Sequence, residues 1–138
     1  MSDAALAERL LKLFAGSERA HGTHGEPDPP LNGKYGIKKT AKTLEGAATV
    51  ELWEQHLAGT RPLGVIPIRG DGTCSWGSID VDQYDADLLP LIRRVEEIKL
   101  PLVPCRSKSG GLHLFLLLRA AVPCGEVIAA LRGAARIS

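Results

Sequence analysis

The segment "LHLFLLL" (112–118) constrains the fold most. A run this apolar needs cover on both faces, which makes it the central strand of a sheet. A second segment, "SIDVD" (78–82), alternates instead, with Ile79 and Val81 pointing one way and Asp80 and Asp82 the other. Such alternation belongs to a strand with one face on a core. Like charges side by side on a strand face repel. The acidic face therefore either meets plain solvent or holds something positive between the two carboxylates.

The remaining elements follow from period and punctuation. "DAALAERLLKLF" (3–14) carries Leu6, Leu10, Leu11 and Phe14 at helical spacing, with Ser2 or Asp3 to cap it and Gly16 to stop it. Residues 17–48 are rich in Gly, Pro and polar residues, show no clear period, and read as a long loop. Thr49 caps "VELWEQHLAG", whose Leu52, Trp53 and Leu57 face inward and whose Gly59 ends it. "LGVIPI" (63–68) reads as a short strand, joined through the turn "RGDGT" in a hairpin to the strand ending at Asp82. Asp85 or Asp87 opens a helix with Leu88, Leu91, Ile92, Val95 and Ile98 as its apolar positions and Pro90 in its tolerant first turn. "LPLVPC" (100–105) suits an edge strand, "SKSGG" (107–111) a flexible loop, and "CGEVIAALRGAARI" (124–137) a last amphipathic helix.

The expected fold class is α/β: a mixed or antiparallel sheet with helices on one face, preceded by an N-terminal helical and loop extension. The expected division is one domain over 1–138, with 1–60 as extension and 61–138 as the sheet that bears the motifs. No strand follows the last helix, so the sheet is expected to be incomplete at its C-terminal side.

Composition narrows the class. No apolar run approaches the ~20 residues of a membrane span, and the N-terminus lacks a signal peptide's charged start and apolar block, so a cytoplasmic protein is expected. Cys74, Cys105 and Cys124 are an odd count without a CxxC, which points to buried thiols in a reducing compartment rather than a disulfide framework or a zinc ribbon. The net charge of +1 says little, but its distribution says more. Lys34, Lys38, Lys39 and Lys42 form one carboxylate-free stretch and Lys99, Arg106, Lys108 and Arg119 another, on either side of an acidic centre containing Asp71, Asp80, Asp82, Asp85 and Asp87. That pattern suits a metal site that handles a polyanion, or the ordinary mixing of surface charge.

Residues two apart on a strand lie about 6.6–6.8 Å from each other along its axis. Asp80 and Asp82 are therefore placed to converge on one divalent ion or to bridge two, and hard oxygen ligands suit Mg²⁺ or Mn²⁺. In "CRSKSGGLHLFLLL", Gly110 and Gly111 permit a backbone that turns N–H groups toward an anion. Arg106 and Lys108 add charge, Ser107 and Ser109 add hydroxyls, and His113 is either a phosphate ligand or a partly buried histidine bonded to backbone. One segment offers donors for metal and the other donors for phosphate, which is what a nucleoside triphosphate requires. Other candidates are the His21–His24 pair, read as part of a flexible loop, Trp53, read as packed in its helix, and Trp76, read as open to a base.

"LGVIPIRGDGTCSWGSIDVDQYD" followed by "LPLVPCRSKSGGLHLFLLL" resembles the catalytic domain of the archaeo-eukaryotic primase superfamily, in the form found in phages, mobile elements and bacterial TOTE conflict systems. Asp80-Val81-Asp82 matches its first motif, and the loop Ser107–Gly111 ending in His113 matches its second. The resemblance implies a distant RRM-like α/β unit and Mg²⁺ or Mn²⁺ on Asp80 and Asp82. It implies triphosphate on His113 with Arg106, Ser107, Lys108, Ser109, Gly110 and Gly111, and template-directed nucleotidyl transfer. Lys34, Lys38, Lys39 and Lys42 would then track a single-stranded DNA template, and a helicase domain or protein is an expected partner. No membrane partner is expected.

One motif departs from the family. Its third, a further aspartate on a later strand, has no counterpart, since Glu126 is the only carboxylate after His113. A truncated, weakly active fragment is expected. The rivals are a catalytically inactive nucleotide- or nucleic-acid-binding module and a Mn²⁺-dependent DxD glycosyltransferase.

Overall fold

The computed structural model describes residues 2–24, 41–81, 87–107 and 110–137. Within them the chain runs α1 (Asp3–Leu13), β1 (Ala20–His24), β2 (Ala41–Glu45), α2 (Val50–Leu57), β3 (Thr73–Val81), α3 (Leu89–Glu97), β4 (Val103–Arg106), β5 (Leu112–Pro123) and α4 (Cys124–Ile137). The α/β class is as expected, with four helices and two antiparallel sheets. The chain divides into two compact units, Met1–Asp71 and Gly72–Ser138. Among the described residues no helix is long and apolar enough to cross a membrane.

In the first unit the helix caps are those the sequence points to. The Ala5 N–H donates to Ser2 Oγ (3.2 Å) and the Leu52 N–H to Thr49 Oγ1 (3.2 Å), each satisfying a donor the first turn leaves orphaned. Helices α1 and α2 meet through Phe14 and Trp53, whose rings stack 6.0 Å apart.

The stretch read as a long loop contains two strands. β1 and β2 pair antiparallel from Ala20 opposite Glu45 to His24 opposite Ala41. His21 is buried in this ladder and its Nδ1 donates to the Gly46 carbonyl (2.8 Å), while His24, three residues on along the strand, is exposed. Residues three apart on a strand point to opposite faces. The pair is thus neither loop nor metal clip.

"LGVIPI" is not a strand and does not form a hairpin with β3. Gly64 exchanges backbone hydrogen bonds with Gly22 of β1 (2.7 and 2.8 Å), and Ile66 O accepts from the Ser17 N–H (2.7 Å). The segment's backbone groups are spent inside the first unit, and Pro67 has no N–H for a continuing ladder.

In the second unit the strand order is β3-β5-β4, all antiparallel. β5 is central, as its composition demands. β3 and β4 run parallel to each other on either side of it, joined by α3, so β3-α3-β4-β5-α4 is a split βαβ arrangement. Leu112, Leu114 and Leu116 project to one face, where Val95 of α3 and Val127 of α4 close the core. On that face Gly77 of β3 lies under α4, and a Cβ there would come within 2.9 Å of both Val127 and Leu131. Glycine in this strand is what lets the helix seat. The opposite face of β5 carries His113, Phe115 and Leu117, all half-buried, so the cover on the two faces is unequal.

The cysteines also differ from expectation. Cys74 and Cys124 form a disulfide that spans 50 residues, and Cys105 is free and exposed. Pairing of the start of β3 with the end of β5 brings the two together, a juxtaposition invisible without the register. The Cys124 N–H also donates to Gly72 O (2.9 Å).

Two outcomes follow for stability. Thiol titration of the denatured, unreduced chain should find Cys105 alone, and reduction should lower the unfolding free energy by up to about 4 kcal/mol, the loop-closure entropy for a loop of this length. Gly77→Val should cost about 1–3 kcal/mol by overpacking against α4, read as a lowered urea midpoint with an unchanged m-value.

Candidate active site on the open face of the sheet

Residues directly opposite in an antiparallel pair share a face. Asp80 of β3 lies opposite His113 of β5, and Cys105 of β4 lies opposite His113 on its other side. These three side chains form a row across the sheet, on the face away from α3 and α4. His113 Nε2 is 3.5 Å from Asp80 Oδ1, with 39% of the histidine side chain and 60% of the aspartate exposed. Phe115 meets the His113 ring edge-on at 5.7 Å, and Trp76 lies 6.1 Å from Phe115. Trp76 itself is buried, so its indole is not open to a base as the sequence suggested.

The loop after β4 stands at the same end of the strands. The Ser107 N–H donates to Gly111 O (3.0 Å) and the Gly110 N–H to Ser107 O (3.1 Å), closing a tight turn. Gly110 has φ +89°, a conformation that favours glycine. Its N–H is thereby used within the turn, so Gly110 contributes shape here rather than a free donor. Arg106 pairs with Leu112 and so projects to the helix-covered face. There, with Asp87, Leu88, Ile92 and Gly110, it lines a cleft of about 420 Å³.

Asp80 and His113 are thus brought together, Ser107, Gly110 and Gly111 stand at the adjacent strand ends, and Arg106 faces the other way. Lys42 is an exposed residue of β2 in the first unit. Asp82, Lys108, Ser109, Lys34, Lys38 and Lys39 lie outside the described residues. Glu126 is an exposed residue in the first turn of α4, the helix packed on the far face. Sequence reading missed Cys105 and Phe115 as neighbours of His113. Both follow from register: the pairing that sets Arg106 opposite Leu112 also sets Cys105 opposite His113.

Among the described residues no group of three His, Cys, Asp or Glu side chains could hold a metal ion. A Mg²⁺-type site takes one or two carboxylates together with substrate phosphates and water, and the Asp80 carboxylate is a donor of that kind. Asp80 offers hard oxygens on the face away from α3 and α4, and its contact with His113 is too exposed to serve mainly as a structural brace.

A family model for the archaeo-eukaryotic primase domain of TOTE conflict systems matches residues 32–133. The chain belongs to that family. A search of curated proteins found no match. The matched span of this primase-family domain includes Asp80, Asp82, the Ser107–Gly111 loop and His113. Family membership leaves the glycosyltransferase reading without support.

Because exposed contacts of this kind are worth about 1 kcal/mol or less, Asp80→Asn and His113→Ala should each shift the unfolding free energy by no more than about 1 kcal/mol. Chemical denaturation of the two variants checks this, and a larger loss would assign the pair to the scaffold.

Proposed function

We propose that this domain binds a nucleoside triphosphate with Mg²⁺ or Mn²⁺ and serves template-directed nucleotidyl transfer, as a primase-polymerase does. The observation that carries the reading is the placement of Asp80 and His113 opposite each other on adjacent strands, 3.5 Å apart on an open face, in a primase-family chain.

Asp80, with Asp82, would hold the ion. When bound, the ion neutralises phosphate charge and orients the triphosphate. With the Asp80 carboxylate so engaged, His113 is free to donate its Nε2–H to a phosphate oxygen. Ser107, Lys108, Ser109, Gly110 and Gly111 would surround the remaining phosphates, with Arg106 adding long-range charge from the strand end. A primer 3′-hydroxyl then attacks the α-phosphorus, the new P–O bond forms, the bond to the bridging oxygen breaks and pyrophosphate leaves. Lys34, Lys38, Lys39 and Lys42 would neutralise phosphates of a single-stranded DNA template, which makes template binding steeply salt-dependent. We place the domain in the cytoplasm, working beside a helicase.

The resemblance to the primase family implies a further carboxylate beside Asp80 and Asp82, and the only carboxylate side chain after His113 is Glu126, on the helix packed against the other face. On that account the chain binds Mn²⁺–nucleotide but extends a primer poorly. Titration of a fluorescent nucleoside triphosphate should show Mn²⁺-dependent binding that Asp80→Asn weakens at least tenfold and His113→Ala weakens to a similar degree. Metal-independent or absent binding would overturn the reading. Metal-dependent binding with no detectable primer extension would favour a non-catalytic nucleotide-binding module.

A further inference from the structure

In the first unit, one face of the β1–β2 ladder borders a cavity. His21 lies opposite Leu44 and Thr23 opposite Lys42, so these side chains share a face, in rows about 6.6–6.8 Å apart. On its other edge β1 meets Gly64 through Gly22, which sets Val65 beside His21 on that same face. His21 and Val65, with Phe14 after α1 and Ala47 before α2, wall a cavity of about 280 Å³, and the exposed Lys12 and Glu18 stand at its rim. A single water needs only about 10–15 Å³, so the space is far larger than one water requires.

The walls are mainly apolar, and His21 brings the exception. Its side chain is buried, at 6% exposure, and its Nδ1 lies 2.8 Å from the Gly46 carbonyl. A carbonyl only accepts, so Nδ1 carries the proton and Nε2 of the neutral ring is an acceptor. Among the described residues Nε2 has no hydrogen-bond partner. Leaving a buried acceptor unmade costs stability, and such an atom beside a cavity points to something that enters and donates to it.

The chemistry selects the ligand. It needs an N–H or O–H donor on a body with apolar faces, and an anion would set a second acceptor against Nε2. A nucleobase has flat apolar faces and N–H donors along its edge. Lys42, exposed one row along the same face, suits the backbone phosphate beside such a base. We infer that the cavity at His21 captures an unpaired base of single-stranded DNA, with a base N–H donating to His21 Nε2 and Lys42 meeting the adjacent phosphate. The inference rests on the proposed binding of a single-stranded template and adds a base site to it.

The test follows the anisotropy of a labelled single-stranded DNA oligomer on the 138-residue chain, against an oligomer of equal length built from stable abasic sites. EDTA is present, so no metal-bound nucleotide contributes. His21→Asn keeps a donor where Nδ1 stands and removes Nε2. Ala47→Leu, at an exposed wall position, fills the cavity and leaves His21 in place. One hydrogen bond is worth roughly two- to tenfold in affinity. Each variant should therefore weaken the base-bearing oligomer by about threefold or more and leave the abasic one unchanged. Lys42→Ala should weaken both oligomers alike and flatten their salt dependence.

Unchanged affinity of the base-bearing oligomer in His21→Asn, or equal loss of both oligomers, would overturn the inference. Should His21→Asn fail to fold, Ala47→Leu decides by the same comparison. Equal affinity of the unaltered chain for both oligomers would overturn the base site and leave the template reading standing. If neither oligomer binds, the template reading falls and the base site with it.

Discussion

Everything in the second unit depends on the register between β3 and β5. The ladder sets Val81 opposite Leu112, Asp80 opposite His113 and Ile79 opposite Leu114. Because side chains alternate with a period of two, a slip of one residue would turn Asp80 into the core and Ile79 onto the open face. Burying an unpaired carboxylate costs several kcal/mol, and exposing the apolar partner adds about 1.5–3 kcal/mol. The same pattern that makes the core thus fixes where the acid meets the imidazole. No separate interaction between Asp80 and His113 is needed to hold them in place, which is why the pair can be exposed, weak and still well positioned.

The two faces divide the labour. On one, Leu112, Leu114 and Leu116 meet Val95 and Val127, and Leu114 and Val95 are almost wholly buried. Gly77 removes the side chain that would hold α4 away, so both helices stay on that side. Along the other face the rows pass from the charged and polar Asp80, His113 and Cys105 to the more apolar Ser78, Phe115 and Val103. The core and the candidate site lie on opposite sides of one strand by alternation alone. A substitution on either face therefore reports mainly on one of the two.

Much of this was readable from the residues. The apolar "LHLFLLL" demanded a central strand, Thr49 and Ser2 marked helix starts, and the aspartate–histidine motifs pointed to one family. These signals are local or depend on a strong period. What escaped was set by pairing. β1 and β2 are short strands of mixed polarity, Ala20–His24 and Ala41–Glu45, held by partners far along the chain rather than by propensity. "LGVIPI" has strand composition, yet its hydrogen bonds go to Gly22 and Ser17 at scattered points. The Cys74–Cys124 bond and the projection of Arg106 away from His113 follow only once register is known. The acidic pair is plain in the sequence, and of its two members the structure describes Asp80, Asp82 lying outside the described residues.

The disulfide and the candidate site occupy opposite ends of the same two strands. Cys74 is the second residue of β3 and Cys124 follows β5, whereas Asp80, six residues on from Cys74, and His113 lie at the other end of the ladder. At about 3.3–3.4 Å per residue the two are separated by roughly 20 Å. Between them the register shifts once, between Cys74 and Trp76, so the bonded end is offset from the ladder that carries the site. Strain or fraying at the cysteine end can be absorbed at that irregularity before it reaches Gly77. From Gly77 onward the register is held by α4 and by Ile79 against Leu114. The covalent tie therefore restrains the start of the strand and the first turn of α4, while the geometry of the acid and imidazole is kept by packing. A reducing compartment, in which the disulfide would open, is on this account compatible with an intact site.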